Sequence, residues 1–344
     1  MSFPLEQFRP AGVHLDTASV GLVPRVGADA LHEAVDAWHR GQATAAGYDV
    51  YIAEARRAFS RIVGCPVDWI AITTPVSVAT AHAAALLAPG DTVLAADEDF
   101  TSVLFPFLER ERDGIIVRSV PLDHLIDSIT DDIDMVAVSA VQSADGRRID
   151  LDLLAATARA AGALTYLDVT QAAGWVSIDA TAFDITACGI YKWLCSPRGA
   201  GFMTVAPHLW DKMRALAPGW YAGEDPWTST YNAPLRQAAS GRRYDVSPAW
   251  LCWVGAAPVL DLFADIGATE IGQHNIRLAN AFRTGLGLDP SDTAMVSLDL
   301  TEAQVGTLQS SGVNFANRAG RSRFSFHLYN TDAEVEAVLL MLDS

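Results

Sequence analysis

The sequence predicts an α/β fold: a large domain built on a mostly parallel sheet with helices on both faces, followed by a small C-terminal α+β domain. Three observations predict it. From about residue 50 to 205, short continuous apolar runs alternate with alanine-rich helical stretches, the pattern of βαβ units whose strands are buried on both faces. A length of 344 residues exceeds what one compact core holds and suits a large domain with a smaller one. Half of the residues are hydrophobic and only 19% are charged, enough apolar surface for a packed globule rather than a disordered chain.

The strand runs, in order, are Trp69-Ile-Ala-Ile-Thr, Thr92-Val-Leu-Ala-Ala, Ile115-Ile-Val-Arg-Ser-Val, Met135-Val-Ala-Val-Ser, Leu164-Thr-Tyr-Leu-Asp and Ile185-Thr-Ala-Cys. Each ends in turn or acidic residues, and ligands of such sheets bind beyond the carboxyl ends of the strands. Pro207 to Arg214 reads as a helix exposing Lys212. Pro218-Gly-Trp-Tyr-Ala-Gly-Glu-Asp-Pro-Trp carries too many turn formers for a regular element and reads as a functional loop. Its Glu224 and Asp225 could line an entrance, or its aromatics could form a packed corner. Trp250 to Ile266 has helical apolar spacing and leads into a C-terminal region that ends in an alternating strand, Phe324 to Tyr329, and a last helix. The expected division is residues 1–240 for the N-terminal segment and large domain, and 241–344 for the small one. No repeat or low-complexity segment interrupts the pattern.

A formal charge of −17 and a pI near 4.7, with no basic stripe to offset them, argue against nucleic acid as a partner. Neither a signal-peptide pattern nor an apolar stretch long enough to span a bilayer is evident, so no membrane partner and a cytoplasmic location are expected. The four cysteines, Cys65, Cys188, Cys195 and Cys252, lack metal-ligand spacing and read as free, buried thiols. No metal is expected.

Of 24 basic residues only Lys192 and Lys212 are lysine. Lys192 follows an apolar run, where an ammonium is costly unless it has a task. Asp168 ends the preceding strand run, so the two can converge at one edge of the sheet. A helix N-cap after a strand is an ordinary alternative for such an aspartate. The pair nevertheless matches what pyridoxal 5′-phosphate requires: an amine for the Schiff base, and a carboxylate against the pyridine nitrogen to keep the ring an electron sink.

Asp168-x-x-Gln171 and Lys192-Trp-Leu-x-x-Pro-Arg-Gly resemble the fold type I, class V aminotransferase family. That family includes cysteine desulfurases, cystine lyases, kynureninases and isopenicillin epimerase-like enzymes. The resemblance runs from His14-Leu-Asp-Thr-Ala to Arg323-x-Ser-x-x-x-Tyr-Asn-Thr and implies an aspartate aminotransferase-like large domain with a seven-stranded, mostly parallel sheet. It further implies that Lys192 is the Schiff-base lysine, that Asp168 pairs with the ring nitrogen, and that Gln171 donates to the ring hydroxyl oxygen.

Thr73-Thr-Pro-Val-Ser lies where a strand turns into a helix, and the resemblance puts the phosphate cup there, at Val76 and Ser77; a helix cap with no ligand would look the same locally. Ser247 resembles the residue that reaches the phosphate from a neighbouring subunit, which implies a homodimer with shared sites. Phe100 falls in the segment whose His or aromatic side chain stacks on the ring, though a core phenylalanine is the plain alternative. Arg323 matches the arginine that grips the substrate carboxylate; Arg318 and Arg321 crowd the same segment, and His327 reads as structural. The chain departs from the family where a serine or threonine is usual two or three residues before the lysine, since Gly189 and Ile190 stand there, and Tyr191 stands where many relatives have histidine.

A cysteine desulfurase needs a thiolate on a mobile loop before the carboxylate arginine. The stretch 312–322 contains no cysteine. The expected activity is therefore transamination or cysteine/cystine β-lyase-type chemistry on a small amino acid. The alternatives are an epimerase-like racemase, a desulfurase without the loop cysteine, and a non-catalytic relative that merely binds the cofactor.

Overall fold

The computed structural model describes residues 3–343. Two helices, α1 (Arg25–His39) and α2 (Ala45–Val63), precede β1 (Ile70–Thr73). Then follow α3 (Val76–Ala84), β2 (Thr92–Ala96), α4 (Thr101–Leu108), β3 (Ile116–Val120), the short α5 (Leu122–Leu125), β4 (Met135–Ser139), α6 (Leu151–Ala161), β5 (Leu164–Asp168), β6 (Ile185–Gly189) and β7 (Gly201–Val205). The C-terminal part comprises α7 (Trp250–Ile266), α8 (Ala268–Gly285), β8 (Met295–Leu298), α9 (Glu302–Ser310), β9 (Ala316–Arg318), β10 (Arg321–Ser325) and α10 (Asp332–Leu342).

The expected seven-stranded sheet is present, in the order β1-β7-β6-β5-β4-β2-β3. Pairings from β3 through β6 are parallel, and only β7 runs against its neighbours β6 and β1. Successive residues of each central strand enter opposite cores, as the two-residue side-chain period requires. Val136, Val138 and Leu167 join a core that includes α2 and α7, whereas Met135, Ala137 and Tyr166 join one with Ala79, Ala83 and Phe107 of α3 and α4. Edge strand β3 is buried at none of its positions and carries Arg118 and Ser119. Helix ends follow local chemistry: the Asp150 side chain accepts from the Leu153 N–H to start α6, and Gly162, at φ +76°, closes it in the left-handed conformation.

A second, three-stranded antiparallel sheet, β8-β10-β9, packs with α8, α9 and α10 around Phe282, Phe324 and Phe326. Leu15, from the N-terminal segment, completes this core, and α7 lies against α1 and α2. Two local expectations differ. The alternating strand ends at Ser325 rather than Tyr329, because the Asn330 side chain accepts from the His327 N–H at 2.9 Å and turns the chain. Residues 207–214 form a short 3-10 turn, Pro207–Leu209, and not an α-helix, although Lys212 is exposed as expected. No single helix among the described residues is long and apolar enough to cross a membrane.

Candidate active site

The carboxyl ends of β4, β5 and β6 and the β1–α3 turn open onto one cleft of about 270 Å³. Asp168, Gln171, Lys192, Phe100 and Val76 all line it, together with Thr74, Ser139, Ser143, Thr170, Tyr191 and Arg198. Three parallel strands ending side by side bring these residues together from distant parts of the sequence.

Lys192 is buried, and its Nζ lies 5.3 Å from the centre of the Phe100 ring and 5.8 Å from that of Tyr191. Burial pulls its pKa down to about 8; Asp168 opposes this, and the charges of Arg323 and Arg318 reinforce it. The backbone at Lys192 is fixed by a close approach, since a Cβ on Gly21 would sit 2.1 Å from the Lys192 carbonyl oxygen and the Gly21 N–H donates to the Tyr191 carbonyl at 3.0 Å. Only glycine fits there.

Asp168 is buried too, accepts from the Thr170 N–H at 2.8 Å, and forms no ion pair among the described residues. Burial raises its pKa to about 6, against the opposing effects of the Thr170 hydrogen bonds and Lys192. A buried carboxylate without a cation is rare, and a protonated ring nitrogen is a donor it would accept.

Gln171 has its amide orientation decided by its neighbours. Trp193 Nε1, which can only donate, gives a hydrogen bond to Oε1 at 2.7 Å, so the NH₂ group points to the Ala18 carbonyl and Ser143 Oγ, each at 3.0 Å. The donor side of the amide is therefore turned toward Ser143, which itself lines the cleft. Phe100 is 46% exposed at the start of α4 and lies over the amine rather than in the core. Val76 and Ser77 form the first turn of α3, whose cap Pro75 supplies no side-chain hydrogen bond, so their backbone N–H groups suit an anion.

Arg323 is fully buried on β10 and is not a cleft-wall residue. Its guanidinium donates to the Ser143 carbonyl, to Ser19 Oγ at 2.8 Å and to Asp16 at 3.5 Å. Burial, then Arg318, bring its pKa down to about 10. Ser143 thus touches both Gln171 and Arg323. Arg318 donates to the same Ser19 hydroxyl at 2.8 Å, and Arg321 pairs with Asp299. Ser247 is exposed outside the cleft, 3.4 Å from Trp220 Nε1. His327 is buried between the Trp193 carbonyl and Asn275, and burial lowers its pKa to about 3.

Sequence reasoning missed Asp99, Ser139, Ser143, Thr170 and Arg198. Asp99 is a second buried carboxylate that accepts from the Ser139 N–H and hydroxyl and from the Phe100 N–H at 2.5 to 2.6 Å. The available signal was positional: Ser139 ends a strand, Asp99, Ser143 and Thr170 lie within four residues past one, and Arg198 lies just before β7. The Trp220–Trp227 segment forms the packed aromatic corner, with Trp227 Nε1 donating to Asp49 at 2.7 Å. Cys65, Cys188 and Cys195 are buried free thiols, Cys252 is half-buried, and no cluster among the described residues could hold a metal.

The profile described as aminotransferase class-V matches residues 28–304. The chain belongs to that family. Its members are pyridoxal-phosphate-dependent enzymes, and this chain is one; the buried amine, the carboxylate that forms no ion pair among the described residues and the open helix start in one cleft fit that cofactor. The chain is 28% identical over 289 residues to the kynureninase of Deinococcus radiodurans, covering 78% of this chain and 70% of the relative. It is 26% identical to the isopenicillin N epimerase of Streptomyces clavuligerus, covering 83% and 77%. The apo cysteine desulfurase from Thermococcus onnurineus NA1 has the same fold at a TM-score of 0.84 and 19% identity, over 100% of this chain and 98% of that one.

Proposed function

We propose that this enzyme holds pyridoxal 5′-phosphate on Lys192 and catalyses transamination or a cysteine/cystine β-lyase-type elimination on a small amino acid. When bound, the cofactor supplies an electron sink for the substrate's α-carbon. Asp168 would hold a proton on the ring nitrogen, Gln171 Nε2 would donate to the ring hydroxyl oxygen, and Phe100 would cover the ring face. The Val76 and Ser77 N–H groups would receive the phosphate. Arg323 would receive the substrate carboxylate in a two-pronged hydrogen bond, with the carboxylate taking the place of its present partners Ser143, Ser19 and Asp16. Lys192 Nζ, with its pKa near 8, can take up and return a proton close to neutral pH once it is free. The exposed Ser247 supports a homodimer in which this residue completes the partner's phosphate site.

One observation carries the reading: a buried lysine amine under an aromatic ring shares its cleft with a buried carboxylate that forms no ion pair among the described residues. The accessible-thiolate chemistry of a desulfurase finds no candidate in the cleft, since Cys188 and Cys195 are buried with pKa values pushed up by desolvation and Cys252 does not line it. Similarity to the isopenicillin N epimerase supports racemisation as a second outcome. The test is an absorbance-monitored screen of amino acids against the purified holoenzyme, with Lys192→Ala as control, and with pyruvate, ammonia, sulfide and α-deuterium exchange as readouts. Pyruvate with ammonia indicates elimination, exchange without product indicates racemisation, and a chromophore that survives Lys192→Ala unchanged overturns the assignment.

A further inference from the structure

We propose that Arg198 is a charge partner of the cofactor phosphate, replacing a hydroxyl that this chain lacks three residues before Lys192. The inference rests on the reading above, in which the cofactor sits on Lys192 with its phosphate at the start of α3.

The structure gives a steric reason for the missing hydroxyl. A Cβ on Gly189 would lie 3.2 Å from Tyr191 Cε1 and 3.5 Å from Thr170 Cγ2, so the Tyr191 ring crowds the space that a serine or threonine would enter. The Thr170 hydroxyl does not stand in, because it accepts from the Gly189 N–H at 2.9 Å and its own proton is engaged by the Asp168 carboxylate. Ser247 of the same chain is outside the cleft. Position 189 thus offers a phosphate at the α3 start no hydroxyl, and the side chains that remain past this strand end in the cleft are Tyr191, Lys192 and Arg198.

The Tyr191 ring that crowds out the hydroxyl also carries a replacement charge. The Arg198 guanidinium carbon lies 5.3 Å from its centroid, and the Lys192 amine lies 5.8 Å from the same centroid. Arg198 lines the same cleft as Thr74, Pro75 and Val76, and three residues on Gly201 pairs with Thr73, so its segment runs beside the turn that opens α3. It forms no ion pair among the described residues, in a chain where 41 acidic residues compete for 24 basic ones. Its backbone is held: the Cys252 thiol donates to the Arg198 carbonyl at 3.4 Å, and Gly199 at φ +120° lets the chain turn directly after it. A guanidinium stacked on a ring keeps its N–H edges free for a phosphate, whose geometry they match.

The test compares two aldehydes that differ only in the phosphate. Apoprotein is titrated with pyridoxal 5′-phosphate and with pyridoxal, following the lysine-bound chromophore by absorbance. Arg198→Gln should weaken the phosphate form by about tenfold or more and pyridoxal by less than about twofold, since one charge-assisted contact is lost only where a phosphate exists. Arg198→Lys should recover part of the loss, and Tyr191→Leu should cause a smaller loss in the same direction. Unchanged affinity for the phosphate form, equal weakening of both aldehydes, or a loss confined to amino acid affinity would each overturn the proposal. Wild-type protein that takes up neither aldehyde on Lys192 would instead sink the underlying reading, and the Lys192→Ala titration separates that failure from the others.

Discussion

Replacing Asp168 by asparagine should make the cofactor-free protein more stable and the enzyme worse. The carboxylate is buried, has no ion pair, and has its pKa raised from 3.8 to about 6. The folded state therefore binds this proton more tightly than the unfolded state does, so the penalty is absent below about pH 4, grows as pH rises through 6, and is complete above it. That rise corresponds to roughly 3 kcal/mol at pH 8. The amide of the Asp168→Asn variant would keep the Oδ1 acceptor for the Thr170 N–H and remove only the charge. Urea unfolding of apoprotein at several pH values between 4 and 8 should show this variant gaining about 2 to 3 kcal/mol at pH 8 and almost nothing near pH 4. The holoenzyme of the same variant should turn over amino acids far more slowly, because a neutral amide does not hold the ring nitrogen protonated. A variant that is less stable than wild type at pH 8, or whose gain does not change with pH, would refute the argument that this carboxylate lies unpaired in the apoprotein.

Arg323→Gln should keep the cofactor chromophore while kcat/KM for the amino acid falls by about 100-fold or more, the effect of two lost charge-assisted hydrogen bonds; steady-state kinetics with the spectrum as control checks it. His327, with its pKa lowered to about 3, is protonated in the unfolded chain before the folded one, so stability is lost as pH falls through 6.5, by about 2 kcal/mol at pH 5; in His327→Asn the stability-versus-pH slope between 4 and 6.5 should flatten by about one proton. Arg56→Ala should cost about 3 kcal/mol in urea unfolding by leaving the buried Asp245 only its longer ion pair with Arg242 at 3.6 Å, and Arg56→Ala with Asp245→Asn should recover part of that.

The parallel part of the sheet was legible because its strands are buried on both faces and therefore read as unbroken apolar runs. β7 was harder: Gly201-Phe-Met-Thr-Val follows a turn directly after Lys192, with no intervening helix to mark it, and it runs antiparallel. Knowing that strands end at one edge placed Asp168 and Lys192 near each other, and they do line one cleft. The polar residues that hold them did not stand out. Thr170, Ser143 and Ser139 act through hydrogen bonds to partners far away in the sequence or set by local turn geometry, and no sequence period encodes those. The role of Asp16 and Ser19 around Arg323 depends on the N-terminal segment lying against β10, a contact across about 300 residues that only the folded chain reveals.

The cleft concentrates groups that are uncomfortable without a ligand. Lys192 is pulled down and Asp168 pushed up until their pKa values stand near 8 and 6, and Asp99 adds a second buried carboxylate that raises Asp168 further. A cationic ring nitrogen would relieve Asp168, and a covalent bond would remove the cost of keeping a bare ammonium at Lys192, so cofactor binding and folding should reinforce each other. Such coupling also explains why this amine needs so few competitors. The other lysine, Lys212, is exposed on a turn outside the cleft, and arginine, which forms no stable imine with an aldehyde, carries the remaining basic positions. An aldehyde meeting this surface finds almost no amine except the one whose proton is already loosened by burial.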